Sequence, residues 1–150
     1  RYRWVIVVPA FEVSTKEARK KIPERIPLSD GTFNVQRVGM LMAAFAYGQN
    51  ELFREAMRDK FHQPYRKELM GPLDEVFEAA HEAGALGACI SGAGPCVLAI
   101  CDQNAGKAGL AMREVYRVHG IDTRMHVLRI ASRGAHAVDY SGVSATAAAS

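Results

Sequence analysis

Residues 87–101 read GACISGAGPCVLAIC, two short apolar runs joined by Ser, Gly, Ala, Gly and Pro. Nothing else in the chain restricts the fold as strongly. Runs this short and apolar form buried strands, and the glycines and proline supply a turn, so Gly87–Ser91 and Cys96–Cys101 are expected to pair antiparallel. A third run, Trp4, Val5, Ile6, Val7 and Val8, is apolar on both faces, as in a strand packed above and below. Thr123–Ile130 alternates at Val127 and Arg129, and a last short strand is expected at Ala135–Val138.

Between these strands the pattern is helical. Ser14-Thr15 followed by Glu17 marks a start of the capping-box type, for a helix running to about Ile22 before Pro23. The stretch PERIPLSDGT, with two prolines, is expected to be a loop leading to a helix near Asn34. From Val35 to Tyr47 nearly every residue is apolar or small, which predicts a helix buried on most sides. Further helices are expected at Glu51–Lys60, after Gly71-Pro72 and at Ala105–His119, with FHQPYR (61–66) interrupting the series. The order β-α-α-α-α-β-β-α-β predicts an α+β fold: an antiparallel sheet with helices on one face, the ferredoxin-like plait, with extra helices after the first strand. Residues 1–138 suit one domain, and the small, polar stretch 139–150 is expected to be a disordered tail.

Composition excludes several classes. The net charge is +3, from 19 Lys and Arg against 16 Asp and Glu, and the basic residues form no stripe of the kind nucleic acid or a membrane surface requires. The densest basic knot, KEARKK at 16–21, reads as the solvated face of one short helix. No apolar stretch approaches the ~20 residues of a spanning helix. The three cysteines, Cys89, Cys96 and Cys101, form no CxxC and lie in or beside apolar runs. Free buried thiols fit a reducing compartment, and no leader-like segment is visible, so a cytoplasmic location is expected. The chain opens RYRWVIVVP, without Met and almost directly in a strand, and is expected to be a fragment whose upstream half is missing.

The glycine connection has two readings. It lacks the Lys-Ser/Thr of a phosphate loop and the third glycine of a dinucleotide fingerprint, and it passes from strand to strand. It is a hairpin turn, or its length and its Gly-Ala-Gly backbone form a nest of N–H groups for an anionic or polar ligand. Two arginines bear on the choice. Arg37 is placed in the first turn of an otherwise apolar helix, where a cation opposes the helix dipole by about 0.3–1 kcal/mol. It needs a partner: Asp30 or another nearby acid, or a ligand carboxylate or phosphate. Arg66 ends HQPYR, where Pro64 and Tyr65 stiffen the approach; it is a surface loop arginine or a second anion contact. His62, beside Phe61, is assigned no general-base role.

With these residues in view, the chain resembles the C-terminal half of homoserine kinases, members of the GHMP small-molecule kinase superfamily. VVPAFEVSTKEAR, FNVQRVGMLMAAFAYG, HQPYR and VLRIASRGAHAV carry the likeness, and GALGACISGAGPCVLAI is similar to the superfamily's third motif. The resemblance runs from about Trp4 to Val138. It implies ATP-dependent transfer of the γ-phosphoryl group to the side-chain hydroxyl of L-homoserine, in threonine biosynthesis. Arg37 and Arg66 would hold the amino-acid end of the substrate, Asn34 would be a secondary contact, and Ser91, Gly92, Ala93 and Gly94 would lie beside substrate and phosphates. Cys96 stands where the family often has Ser. ATP and Mg²⁺ would be bound mainly by an N-terminal nucleotide-binding domain whose glycine-serine loop and acidic residues do not occur in this sequence. The chain alone is therefore expected to be inactive, to partner its own N-terminal domain, and to form a homodimer. No catalytic residue or metal ligand is assigned to it.

Two other readings remain. Another GHMP kinase with a different alcohol substrate would share the glycine motif. A non-catalytic ferredoxin-like module that binds an amino acid would share the fold. An RNA-binding version lacks the aromatic strand pattern such modules use for stacking.

Overall fold

Strand β1 (Arg3–Pro9) lies inside a four-stranded sheet with β2 (Gly87–Ile90), β3 (Val97–Cys101) and β4 (Thr123–Leu128), in the order β2-β3-β1-β4. Every neighbouring pair is antiparallel, with Val5 opposite Ala99 on one side and Val127 on the other. This is the ferredoxin-like order expected from the sequence. The computed structural model describes residues 1–135. The expected strand at Ala135–Val138, past Ala135 itself, and the expected tail at 139–150 lie outside the described residues.

Alternate strand residues point to opposite faces, and the sheet divides the core accordingly. Val5, Val7, Ala88, Val97, Ala99 and Cys101 face α5 (Leu73–Glu82) and α6 (Ala105–Val118). Helix α6 buries Ala105, Ala108, Met112 and Tyr116, the i, i+3, i+7, i+11 series of one helical stripe. Trp4, Cys89, Leu98 and Ile100 face the other way, toward Leu41, Ala44 and Phe45 of α2 (Leu28–Tyr47) and Phe53 of α3 (Phe53–Ala56). Two helices thus lie on one face as the plait requires, and of the extra helices after β1, α2 and α3 fold over the opposite face. Helix α1 (Thr15–Lys20) begins as expected, with the Ser14 hydroxyl accepting from the Glu17 N–H at 3.5 Å.

The sequence reading needs correction in four places. Helix α2 starts at Leu28, not near Asn34. Pro27 is compatible with a helix start, Asp30 suits the positive first turn, and Gly31 costs only about 1 kcal/mol. Second, α2 is not buried on most sides: among its residues only Ala44 is fully buried. Leu28, Val35, Val38 and Met42 are 87%, 71%, 63% and 64% exposed. Third, the helix expected over Glu51–Lys60 is a 3₁₀ turn at Asn50–Leu52 continued by α3, which stops at Ala56; Phe53, Ala56 and Met57 do face inward. Fourth, the presumed interruption at 61–66 contains helix α4 (Gln63–Arg66), and Arg66 on it is 8% exposed, not a surface loop residue.

Candidate functional site

Because α2 covers only part of the second sheet face, a cleft of about 630 Å³ opens between them. Its floor is apolar, formed by Trp4, Leu98 and Ile100 of the sheet with Val38, Leu41 and Phe45 of α2. Its walls also carry polar groups: Asn34 and Arg37 of α2, Arg19 of α1, Arg66 of α4 and the turn residues Gly92 and Ala93. Of the residues singled out from sequence, Asn34, Arg37, Arg66, Gly92 and Ala93 therefore meet in one cavity. Ser91 and Gly94 do not line it; their backbones close the turn, Ser91 N–H donating to Cys96 C=O (2.8 Å) and Gly94 N–H to Ser91 C=O (3.1 Å).

Gly92 answers why the turn is glycine-rich. Its φ is +62°, a conformation costly for side-chain-bearing residues, and the space a Cβ would enter is open. Gly94 is confined as well: at φ +85° its Cβ would meet the Met70 thioether. The carbonyl of Gly92 accepts from Arg66 Nη1 at 3.2 Å, so turn and arginine are one unit. Arg66 Nε is buried and has no protein acceptor.

Arg37 is differently placed from its sequence expectation. With α2 starting at Leu28 it sits well inside the helix, and the dipole argument for an unmet cation does not apply. Its guanidinium ion-pairs with Glu55, not with Asp30, and lies 3.8 Å from the centroid of the Phe33 ring. Asp30 pairs instead with Lys60 at 2.8 Å. Hydrogen bonds from Arg58 and then Arg37 hold the Glu55 carboxyl below its ordinary pKa. Arg37 keeps a buried Nε without an acceptor. Asn34 is engaged within the protein: its Nδ2 donates to Asp59 (2.7 Å) and its Oδ1 accepts the Lys60 N–H (2.9 Å).

The sequence reading missed four lining residues of consequence. Thr15 and Arg19 reach the cleft from α1, and no ion-pair partner accompanies Arg19 among the described residues. The signal was present in the STKEAR segment, but KEARKK read as a solvated face. Asp59 and Gln63 also line the cleft, and Asp59 preceding the HQPYR helix by a few residues is a recognisable turn-capping placement. Cys89 lines the cleft too, its thiol pushed up to about 11 by burial and then by the Asp59 charge, which leaves it a poor nucleophile. No group of three His, Cys, Asp or Glu among the described residues could hold a metal ion. No described helix is long and apolar enough to cross a membrane.

Comparison with known proteins places this geometry in a family. The chain is 47% identical over 132 residues to a homoserine kinase of Persephonella marina (strain DSM 14350 / EX-H1), covering 88% of this chain and 44% of that protein. A homoserine kinase of Aquifex aeolicus (strain VF5) is 41% identical over 131 residues, 87% of this chain and 44% of that protein. The crystal structure of homoserine kinase from Cytophaga hutchinsonii ATCC 33406 superposes with a TM-score of 0.82 at 34% identity, covering 86% of this chain and 42% of that one. The chain thus spans less than half the length of these relatives. Residues 41–118, just over half of the chain, match the family described as GHMP kinases C terminal, and the chain belongs to that family.

Proposed function

We propose that this chain is the substrate-binding half of a homoserine kinase, which transfers the γ-phosphoryl group of ATP to the side-chain hydroxyl of L-homoserine in threonine biosynthesis. The observation that carries the reading is the joining of Arg66 to the glycine turn through the Gly92 carbonyl, both residues lining the cleft. In this reading Arg66 takes the substrate carboxylate, in a bidentate pairing that fixes the rest of the molecule. Arg19 supplies a second cation free of an ion-pair partner among the described residues, while the charge of Arg37 is already answered by Glu55. In the same reading the N–H groups of Gly92 and Ala93, which do not close the turn, would stabilise the charge on the transferred phosphoryl group.

Phosphoryl transfer needs little covalent help from the protein, so a fixed carboxylate and oriented N–H dipoles supply positioning and charge stabilisation, its main requirements. In this reading Mg²⁺ would be held mainly by an N-terminal nucleotide-binding domain. The exposed apolar stripe of α2 favours a second protein surface, an N-terminal nucleotide-binding domain or a second copy, since a patch of this kind on a folded domain marks an interaction site. The free cysteines favour a cytoplasmic location.

The test measures ADP release with ATP, Mg²⁺ and homoserine, comparing this chain with the same chain completed by the upstream domain of the Persephonella marina relative. The completed protein is expected to phosphorylate homoserine and the 150-residue chain to be inert. Arg66→Ala is expected to lower kcat/KM for homoserine by about 100-fold or more, the size of a lost charge-assisted contact. A completed protein that ignores homoserine but phosphorylates another alcohol would move the assignment elsewhere in the family. Tight amino-acid binding by the short chain, with no gain from completion, would make it a binding module.

A further inference from the structure

We infer that Asp59 is a positioning residue for Arg66, holding its guanidinium against the glycine turn without touching substrate. The inference rests on the function proposed above. Four N–H groups converge on the Asp59 carboxylate: Oδ1 accepts from Asn34 Nδ2 (2.7 Å) and Phe61 N (2.9 Å), and Oδ2 from His62 N (2.7 Å) and Gln63 N (2.6 Å). Three of these belong to consecutive backbone amides that lead into α4, whose last residue is Arg66. A helix of one turn cannot sustain itself, since nucleation fixes several dihedrals for one hydrogen bond. Asp59 provides what the sequence of α4 lacks.

The other anchor is Gln63. Its Oε1 accepts the Ile90 N–H at 2.8 Å, tying the start of α4 to the end of β2 just before the glycine turn. The circuit closes when Arg66 Nη1 donates to Gly92 C=O. From Asp59 through α4 to Gly92 the anchors are hydrogen bonds, and Arg66 is the member that presents positive charge to the cleft, while the Asp59 oxygens are taken up by four donors. The anchoring also sets the protonation state: burial would raise the Asp59 pKa, but the Gln63 N–H, the Asn34 amide and the other backbone donors outweigh it and leave it lowered. The carboxylate thus stays charged wherever the arginine must be held.

The variant to make is Asp59→Asn, which keeps the shape of the side chain but turns an amide toward backbone N–H donors; Asp59→Ser, a short uncharged capping oxygen, serves if the first does not fold. In the completed kinase either is expected to raise the homoserine KM about ten-fold or more while kcat and the ATP KM change by no more than about two-fold. Because Asp59 acts through Arg66, the double variant with Arg66→Ala should be no weaker than Arg66→Ala alone. In the 150-residue chain itself, the Arg66 Nε–H resonance should shift or vanish in Asp59→Asn. Additive losses in the double variant, or a wild-type KM with an unchanged Arg66 resonance, would overturn the inference. A completed wild-type protein without homoserine kinase activity would sink the functional proposal alone, and the Arg66 resonance would still decide the role of Asp59.

Discussion

Tyr116 is fully buried between α6 and the sheet, yet its hydroxyl has no hydrogen-bond partner within the protein. Burial, and then the neighbouring Cys96, push its pKa up to about 12, so it stays a neutral phenol. A desolvated donor without an acceptor destabilises the fold, whereas removing it leaves the ring and its packing intact. Tyr116→Phe is therefore expected to be neutral or to stabilise by about 1 kcal/mol in urea unfolding, against the usual loss when a bonded hydroxyl is deleted. A loss of about 1 kcal/mol or more would mean that a bound water satisfies the hydroxyl. The arginines make the complementary point. Arg37 and Arg66 both line the cleft, but one is answered by a carboxylate and the other by a single carbonyl. A residue type in a sequence does not reveal which of two such fates it meets.

Among the elements, α2 divides most sharply. Its inward face packs Phe45 against Trp4, with ring centroids 6.1 Å apart, and edge-on against Phe53 at 4.8 Å. Its outward face carries Val35 and Met42 in solvent. Phe45→Ala is expected to cost about 3 kcal/mol, through lost burial and aromatic contact. Val35→Lys or Met42→Lys should alter the stability of the chain by no more than about 0.5 kcal/mol and reduce any self-association at high concentration. Thermal unfolding and sedimentation of the three variants would check both statements. A large loss on Val35→Lys would show that the outward stripe is already covered within the chain or by a second copy.

At the scale of the molecule, a sheet with one core on each face makes the central strands the last to open. Strands β1 and β3 have paired neighbours on both edges and bury Val5, Val7, Val97 and Ala99 completely. Strand β4 is at an edge, with most of its residues exposed. Native-state hydrogen exchange is expected to rank the amides of β1 and β3 slowest, with β4 faster by about ten-fold or more, because local opening follows buried contact and backbone pairing. Uniform protection across all four strands would mean that the sheet opens only by global unfolding.

The strands and the glycine turn were legible because their causes are local. Period-two burial, β-branched residues and Gly-Pro punctuation act within a few residues, and the stripes of α5 and α6 within a few turns. From these alone the chain determined an antiparallel α+β sheet and a turn built for positive φ. It did not determine where α2 begins, since Gly31 in its first turn weighs locally against a helix that the sheet then stabilises. Nor could apolar content tell a buried α2 face from an exposed one, because exposure depends on what else packs there. The site was legible only in part for the same reason. Arg37, Arg66, Asn34, Gly92 and Ala93 could be picked out by type, but Arg19 and Asp59 matter through convergence. Arg19, Asn34, Arg37, Asp59, Arg66 and Gly92 come from distant parts of the chain, and tertiary packing alone brings them to the walls of one cleft.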